Sequence, residues 1–579
     1  MRKLIAALAT LIVLTPAPAV ASPSGPDALL RHMTLREKIG QLFVVEVYGP
    51  DATTVSAGNQ RLYGVDTPAQ VIEKYKPGGV IYFDARRGPD NVRDPRQIAT
   101  LSNGLQAAAL RQRRHIPLLI STDQEGGSVV YRLTAPATAM PGNMALGAGR
   151  STADAHRSAA VIGAELKAVG INQNYAPVAD VNVNPANPVI GVRSVGEDPA
   201  LVSRMVAAQV DGYHDGGVAS VAKHFPGHGD TAVDSHFGLP EVTHTRAQLA
   251  AIDLPPFRAA IRKGVDTIMT AHVVVRSVDP SGAPATMSKP ILTGLLRGEL
   301  GYDGLIVTDA LDMGGATGTY PPDVAPVAAF RAGADQLVLA PQLDVAFAAV
   351  LDAVRTRKIS PRRLDDSVRR ILRLKEKRRL FDRPFVDVER AASVVGAPAH
   401  LADAQAITDR TTTVVRNDAG LLPLAAGGKD VLVAGWGATT TATLGAALTA
   451  RGHAVEVQET GTAPAQARID EVAARAAGKD LVVVTTNNAA GSPGQQALVA
   501  ALLATGTPVV VAGVRNPYDI AHLGAAPTYV ATYGYTAGQV ESLVKVLSGE
   551  LRPDGELPVT IPRADGSGTL YPFGHGLTW

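Results

Sequence analysis

The chain has 579 residues, too many for one ordinary hydrophobic core, so at least two domains are expected. Lysine and arginine total 55 against 53 aspartate and glutamate, and the charges are scattered, which excludes the basic face that nucleic-acid binding needs. There is no cysteine, which excludes disulfides, cysteine-ligated metal, a thiol nucleophile and a lipid-bearing cysteine anchor.

The first segment reads as an export signal. Met1, Arg2 and Lys3 give a positive start, residues 4–14 are apolar, and Ala19-Val20-Ala21 offers small-x-small cleavage before Ser22. The apolar run falls short of the ~20 residues of a membrane-spanning helix, and no later segment is long and apolar enough. Residues 1–21 are therefore expected to be removed, leaving a secreted or extracytoplasmic protein without stable membrane insertion.

Residues 22–380 alternate short apolar runs, suited to buried parallel strands, with longer amphipathic stretches. Eight runs fall at 41–47, 79–83, 117–122, 171–176, 218–222, 266–270, 305–308 and 336–340. Gly170, Gly264 and Gly333 sit where helices end and the chain turns back into a sheet. Eight such units predict an α/β fold, a (β/α)8 TIM-like barrel. A helix opening at Ser360-Pro361 leads into a linker over 381–400. Residues 401–579 then carry runs at 430–434, 454–457, 481–485, 508–513 and 528–532, predicting a smaller open α/β sheet domain. Gly435-Trp436-Gly437 after its first strand stops short of a dinucleotide loop, because Thr440 stands where the third glycine belongs, and reads as a strand-to-helix turn.

In such barrels chemistry sits at the carboxyl ends of the strands. The third run leads into Asp123-Gln124-Glu125-Gly126-Gly127 and the fifth into Lys223-His224-Phe225-Pro226-Gly227-His228-Gly229-Asp230. The sixth ends at His272 and the seventh at Asp309. His224 and His228 have the spacing of a helical zinc pair, but Pro226 and Gly227 between them forbid the helix, so neither metal nor cofactor is expected. His228, flanked by glycines, reads as a residue that satisfies loop hydrogen bonds.

The stretch 223–229, followed four residues later by Asp234-Ser235-His236, resembles the signature of glycoside hydrolase family 3 β-N-acetylglucosaminidases. Asp123 to Gly127, Gly191-Val192-Arg193-Ser194 with Glu197-Asp198-Pro199, and Val307-Thr308-Asp309-Ala310-Leu311 agree in order. Leu421 to Leu424 and Leu570 to Leu577 are similar to the borders of that family's second domain, so the resemblance covers nearly the whole mature chain. It implies a retaining exo-enzyme that removes terminal β-linked N-acetylglucosamine from a carbohydrate partner, with peptidoglycan fragments as the expected source. Asp309 would be the nucleophile, and His236 the acid and base, oriented by Asp234. An imidazole of ordinary pKa near ~6.5 can both give and take a proton at neutral pH. The resemblance further assigns Asp123, Arg193, Lys223 and His224 to substrate contact. It places an arginine eight residues after Asp123, where this chain has Tyr131; Arg132, one later, takes that role if the loop is one residue longer. Phosphate in place of water as acceptor, a β-glucosidase of the same family, and a non-catalytic cell-wall sugar-binding protein are the other readings.

Overall fold

The computed structural model describes residues 25–425 and 427–579; the expected export signal lies outside them. Eight parallel strands form one sheet: β1 (Phe43–Val45), β2 (Gly79–Ile81), β3 (Leu119–Thr122), β4 (Gln173–Asn174), β5 (Ala219–Phe225), β6 (Thr267–Thr270), β7 (Leu305–Val307) and β8 (Leu337–Val338). β1 to β7 pair in sequence order, β8 pairs with β1, and an isolated parallel bridge between Val307 and Gln336 links β7 to the segment of β8 and completes the ring. The paired segments are shorter than most of the apolar runs that predict them. Tilted, staggered strands share only their central residues in the ladder, while the flanks bury apolar side chains outside it. Val44, Ile81, Tyr175, Val221, Met269, Val307 and Val338 fill the interior.

Helices surround the ring, and close approach between them selects small residues. Helix Thr152–Ala168 lies so near helix Pro199–Asp215 that a Cβ on Gly212 would stand 2.2 Å from the His156 carbonyl oxygen. At the amino end of the barrel two buried carboxylates act as hubs. Asp266 accepts from His214 (2.9 Å), Lys377 (2.7 Å), Arg378 and the Ser220 amide. Asp335 accepts from Arg297 (2.6 Å), Arg363 (3.2 Å), Ser367 and the Ile306 amide. Burial opposes ionisation at both, but the surrounding cations win and hold each carboxyl below the ordinary range.

The stretch 381–400 contains the helix Val388–Val394, whose Ala391 is fully buried in the barrel's core cluster, so the connection is itself packed. The second domain holds β9 (Thr413–Asn417), β10 (Asp430–Gly435), β11 (Ala454–Glu459), β12 (Leu481–Thr486), β13 (Val509–Gly513) and β14 (Thr528–Ala531), ordered β11-β10-β12-β13-β14-β9. All pairings are parallel except β9 with β14. Successive residues of its strands enter opposite cores, Leu432 and Ala434 on one face and Val431 and Val433 on the other, which is why these strands read as unbroken apolar runs. No helix among the described residues is long and apolar enough to cross a membrane.

The barrel hubs give a stability test. Asp335→Asn leaves the half-buried guanidiniums of Arg297 and Arg363 short of their fully buried counter-charge, a loss of about 2–3 kcal/mol once partial solvent access is allowed for. Thermal unfolding should show a midpoint several degrees lower. Asp303→Asn, removing an exposed partner of Arg370 (2.9 Å) at the same end, should shift it little. Equal shifts would mean that Asp335 is not a hub.

Candidate active site

The carboxyl ends of the strands surround a cavity of about 110 Å3. Its floor is a buried charge network. Lys223 in β5 bridges Asp123 and Glu125, both at 2.7 Å. Glu125 also takes a bidentate pair from Arg193, Nε at 3.0 Å and Nη2 at 2.8 Å. The Lys223 and Glu125 side chains are each only 2% exposed, so neither could be charged without the other. For Glu125, burial is outweighed by Arg193 and Lys223, which hold the carboxyl far below its usual range. For Lys223, burial is outweighed by Asp123 and Glu125, which raise the ammonium.

Strand geometry explains how two neighbouring residues reach this site. Alternation along β5 would turn only one of Lys223 and His224 inward. The pairing of β5 with β6 shifts register between Ala222 and Phe225, and this irregularity lets both side chains line the cavity. His224 Nδ1 lies 2.7 Å from the Asp180 carboxylate, which also accepts from the His224 and His228 amides. With Nδ1 donating to Asp180, Nε2 is left to accept from Arg193 Nη2 at 3.3 Å.

Asp309 follows β7 and lines the cavity, with one carboxylate oxygen accepting from the Ala310 amide at 2.7 Å. Burial opposes its charge, but His224, His272, the Ala310 amide and Lys223 outweigh this and hold the carboxyl below the ordinary aspartate range. His272, buried just past β6, bonds the Ala310 carbonyl at 3.0 Å and so steadies the loop that carries Asp309.

His236 reaches the cavity from an exposed loop after β5. Its Nδ1 lies 2.7 Å from Asp234 Oδ1, and the same oxygen accepts the His236 amide at 2.9 Å. Nε2 has no protein partner among the described residues. The loop is tied down in two ways. Gly314 and Gly315, just beyond Asp309, donate their amides to the carbonyls of His236 and Ser235 at 3.0 Å each. A Cβ on Gly314 would stand 2.8 Å from the His236 oxygen. The second tie is His228: Nδ1 meets Thr231 Oγ1 at 2.7 Å and Nε2 meets Ser235 Oγ at 2.9 Å.

All the expected side chains except Asp234 line this one cavity, and Asp234 stands behind His236. Arg132 takes its place through a hairpin over 124–133, where Gln124 Oε1 accepts the Arg132 amide at 2.8 Å and the guanidinium lies 5.3 Å from the Phe83 ring centre. Among the described residues no group of three or more His, Asp and Glu side chains could hold a metal ion. Glu125 and Asp180 were not singled out as site residues in the sequence, since nothing in spacing distinguishes a buried counter-ion from a contact. Tyr175, which packs in the barrel interior after β4, also lines the cavity wall and carries no motif in the sequence.

The second domain braces the walls. Asn516 accepts the Val192 amide at 3.0 Å beside Arg193, Tyr518 accepts from Asn182 at 3.1 Å, and Tyr535 donates both its amide and its hydroxyl to Ser128 on the hairpin.

Models of the glycosyl hydrolase family 3 N-terminal domain and C-terminal domain match residues 34–374 and 412–579. Beta-hexosaminidase A of Pseudoalteromonas piscicida is 40% identical over 380 residues, 62% of this chain and 62% of that protein, so the chain matches less than two thirds of that relative. The beta-N-acetylglucosaminidase/beta-glucosidase of Cellulomonas fimi is 30% identical over 92% of this chain and 94% of its own length. The structure of a glycoside hydrolase family 3 beta-N-acetylglucosaminidase from Paenibacillus sp. str. FPU-7 superposes with a TM-score of 0.83 at 38% identity, covering 91% of this chain and 99% of that one.

The tie at His228 is open to test by pH. Burial pushes this imidazole down to about 4. Because the folded value lies below the ordinary ~6.5, its stabilising contribution is complete above about pH 6.5 and is lost as pH falls toward 4. The midpoint of thermal unfolding should therefore drop more steeply between pH 6.5 and 4 in the unaltered protein than in His228→Gln. Parallel slopes would show that His228 does not stay neutral in the fold.

Proposed function

The chain belongs to glycoside hydrolase family 3, and from that premise we propose that it is a retaining exo-β-N-acetylglucosaminidase acting through Asp309 and the His236–Asp234 pair. The observation that carries this reading is that Asp309 and His236 line one cavity whose remaining polar wall is Asp123, Lys223, Arg193 and His224. Asp309, held ionised, attacks the anomeric carbon. The glycosidic bond breaks as the His236 proton passes to the leaving oxygen. Water then attacks the glycosyl-enzyme, His236 takes its proton, and Asp309 is released with the free sugar. Asp234 holds Nδ1–H and stabilises the imidazolium that forms in the second step. Its own carboxyl stays low because, against burial, the His236 amide and ring favour its charge. Asp123, Lys223, His224, Arg193 and Arg132 would meet the hydroxyls and the acetamido group of the sugar in the cavity.

The protein is exported after removal of residues 1–21, and its substrates are cell-wall peptidoglycan fragments ending in N-acetylglucosamine. The positive start, the apolar run and the Ala19-Val20-Ala21 site support export. The mature protein recovered from a secreting host should begin at Ser22 by mass; a chain still beginning at Met1 would overturn this.

Substrate and mechanism are read in one assay. Nitrophenyl β-N-acetylglucosaminide should be turned over much faster than the β-glucoside. Equal or better use of the glucoside would sink the specificity and favour the dual naming of the Cellulomonas fimi relative. Asp309→Ala should abolish turnover. His236→Ala should lose about 10²–10⁴-fold with sugar leaving groups and much less with nitrophenol, which needs no proton. A loss independent of the leaving group would remove His236 from the acid role. Adding phosphate should leave free N-acetylglucosamine as the product; the sugar 1-phosphate would instead identify a phosphorylase.

A further inference from the structure

A second cavity, about 590 Å3 against about 110 Å3 for the catalytic pocket, lies between the barrel and the second domain. The two cavities share one wall. Along the hairpin strand of residues 130–133, Val130 and Arg132 face the catalytic pocket, whereas Tyr131 and Leu133 face the larger groove. Period-two alternation puts the thickness of a single extended chain between them.

The lining of the groove limits what it can hold. Across its floor Trp436 meets Tyr535 edge to face, ring centres 4.8 Å apart, and Tyr131 forms the facing wall. The other lining groups are apolar side chains, glycines, and the neutral hydroxyls and amide of serine, threonine and Gln124; none carries a formal charge. The Arg86 guanidinium beside Tyr131, 4.9 Å from its ring centre, is already paired with Asp84 at 2.6 Å, so an ionic ligand would lose hydration there without finding an unpaired counter-charge among the lining groups. Aromatic faces edged by neutral hydroxyls match a ligand with apolar C–H faces and a hydroxyl rim.

The Gly435-Trp436-Gly437 turn supports the same reading. Both glycines have positive φ, 111° and 93°, and a Cβ on Gly435 would stand 2.2 Å from the Thr485 carbonyl oxygen. The turn that could pass for a nucleotide loop instead presents the tryptophan to the groove.

We propose that the groove bounded by Trp436, Tyr535 and Tyr131 is a second saccharide site, binding an uncharged oligosaccharide separately from the catalytic pocket. The site requires no chemistry at Asp309, so it stands or falls apart from the hydrolase reading. Its occupancy would be felt at the catalytic pocket through the hairpin that carries Arg132.

Trp436 is one of only two tryptophans, the other being Trp579, so it can report on the groove directly. In full-length Asp309→Asn, Trp579→Phe protein, chitotriose should change Trp436 emission saturably, and calorimetry should resolve two binding sites. Adding Trp436→Ala should abolish one site or weaken it at least about tenfold. The emission readout leaves the groove unaltered, so it decides the matter even if Trp436→Ala fails to fold. A chitotriose analogue carrying sulfate groups should lose the groove site. The proposal is overturned if chitotriose leaves Trp436 emission unchanged, if calorimetry finds one site with Trp436 present, or if only an apolar dye perturbs the tryptophan.

Discussion

The site depends on one constraint: Lys223, Glu125 and Arg193 are buried together, and none of these charges is tolerable alone. Glu125 joins the hairpin after β3 to β5 through Lys223 and to the loop after β4 through Arg193. Because the pairs sit in low dielectric with nearly every donor satisfied, they set relative positions more than they add stability. Asp123 is the member of this network left most open, 18% exposed at its side chain, and it is the one whose carboxylate can meet a ligand. A sugar entering the cavity meets polar groups whose directions are already set, which lowers the entropy lost on binding.

Asp309 and His236 are held in place differently. Asp309 stands at the end of a barrel strand, bonded to its own loop and steadied by His272 through the Ala310 carbonyl. His236 stands on a loop that projects from the barrel, with 48% of its side chain exposed. The Gly314 and Gly315 amides couple that loop to the segment that carries Asp309. His228 ties it to the end of β5 through Ser235. A loop held at two points leaves the His236 side chain open to solvent without losing its register against Asp309.

Among the described residues the second domain contributes no side chain to the cavity, yet it braces the loops that do. Asn516 holds the backbone beside Arg193, and Tyr535 holds Ser128 on the hairpin of Arg132. Loops at the mouth of a barrel carry few contacts of their own, so an external buttress that satisfies their backbone groups reduces the states they can sample. The same buttress leaves the aromatic groove behind the hairpin.

The sequence by itself determined the alternation of eight strands and helices, the second sheet, and the strand ends at which Asp123, Lys223, His224 and Asp309 stand. Those are local properties: apolar runs, helix-ending glycines and polar residues just past a strand carry their meaning within a few positions. Arg132 was legible only as an offset of one residue, because whether a hairpin absorbs that offset depends on Gln124 closing it from within. The strand Thr413–Asn417 escaped notice because its partner, β14, lies more than a hundred residues away and runs antiparallel. Only the tertiary structure decided that Glu125 and Asp180 are the counter-ions that orient Arg193, Lys223 and His224. It alone revealed that His228 works on Ser235 and that the second domain braces the site. Each of those facts is a distance between residues far apart in the chain, and a buried charge takes its meaning from its partner across that distance.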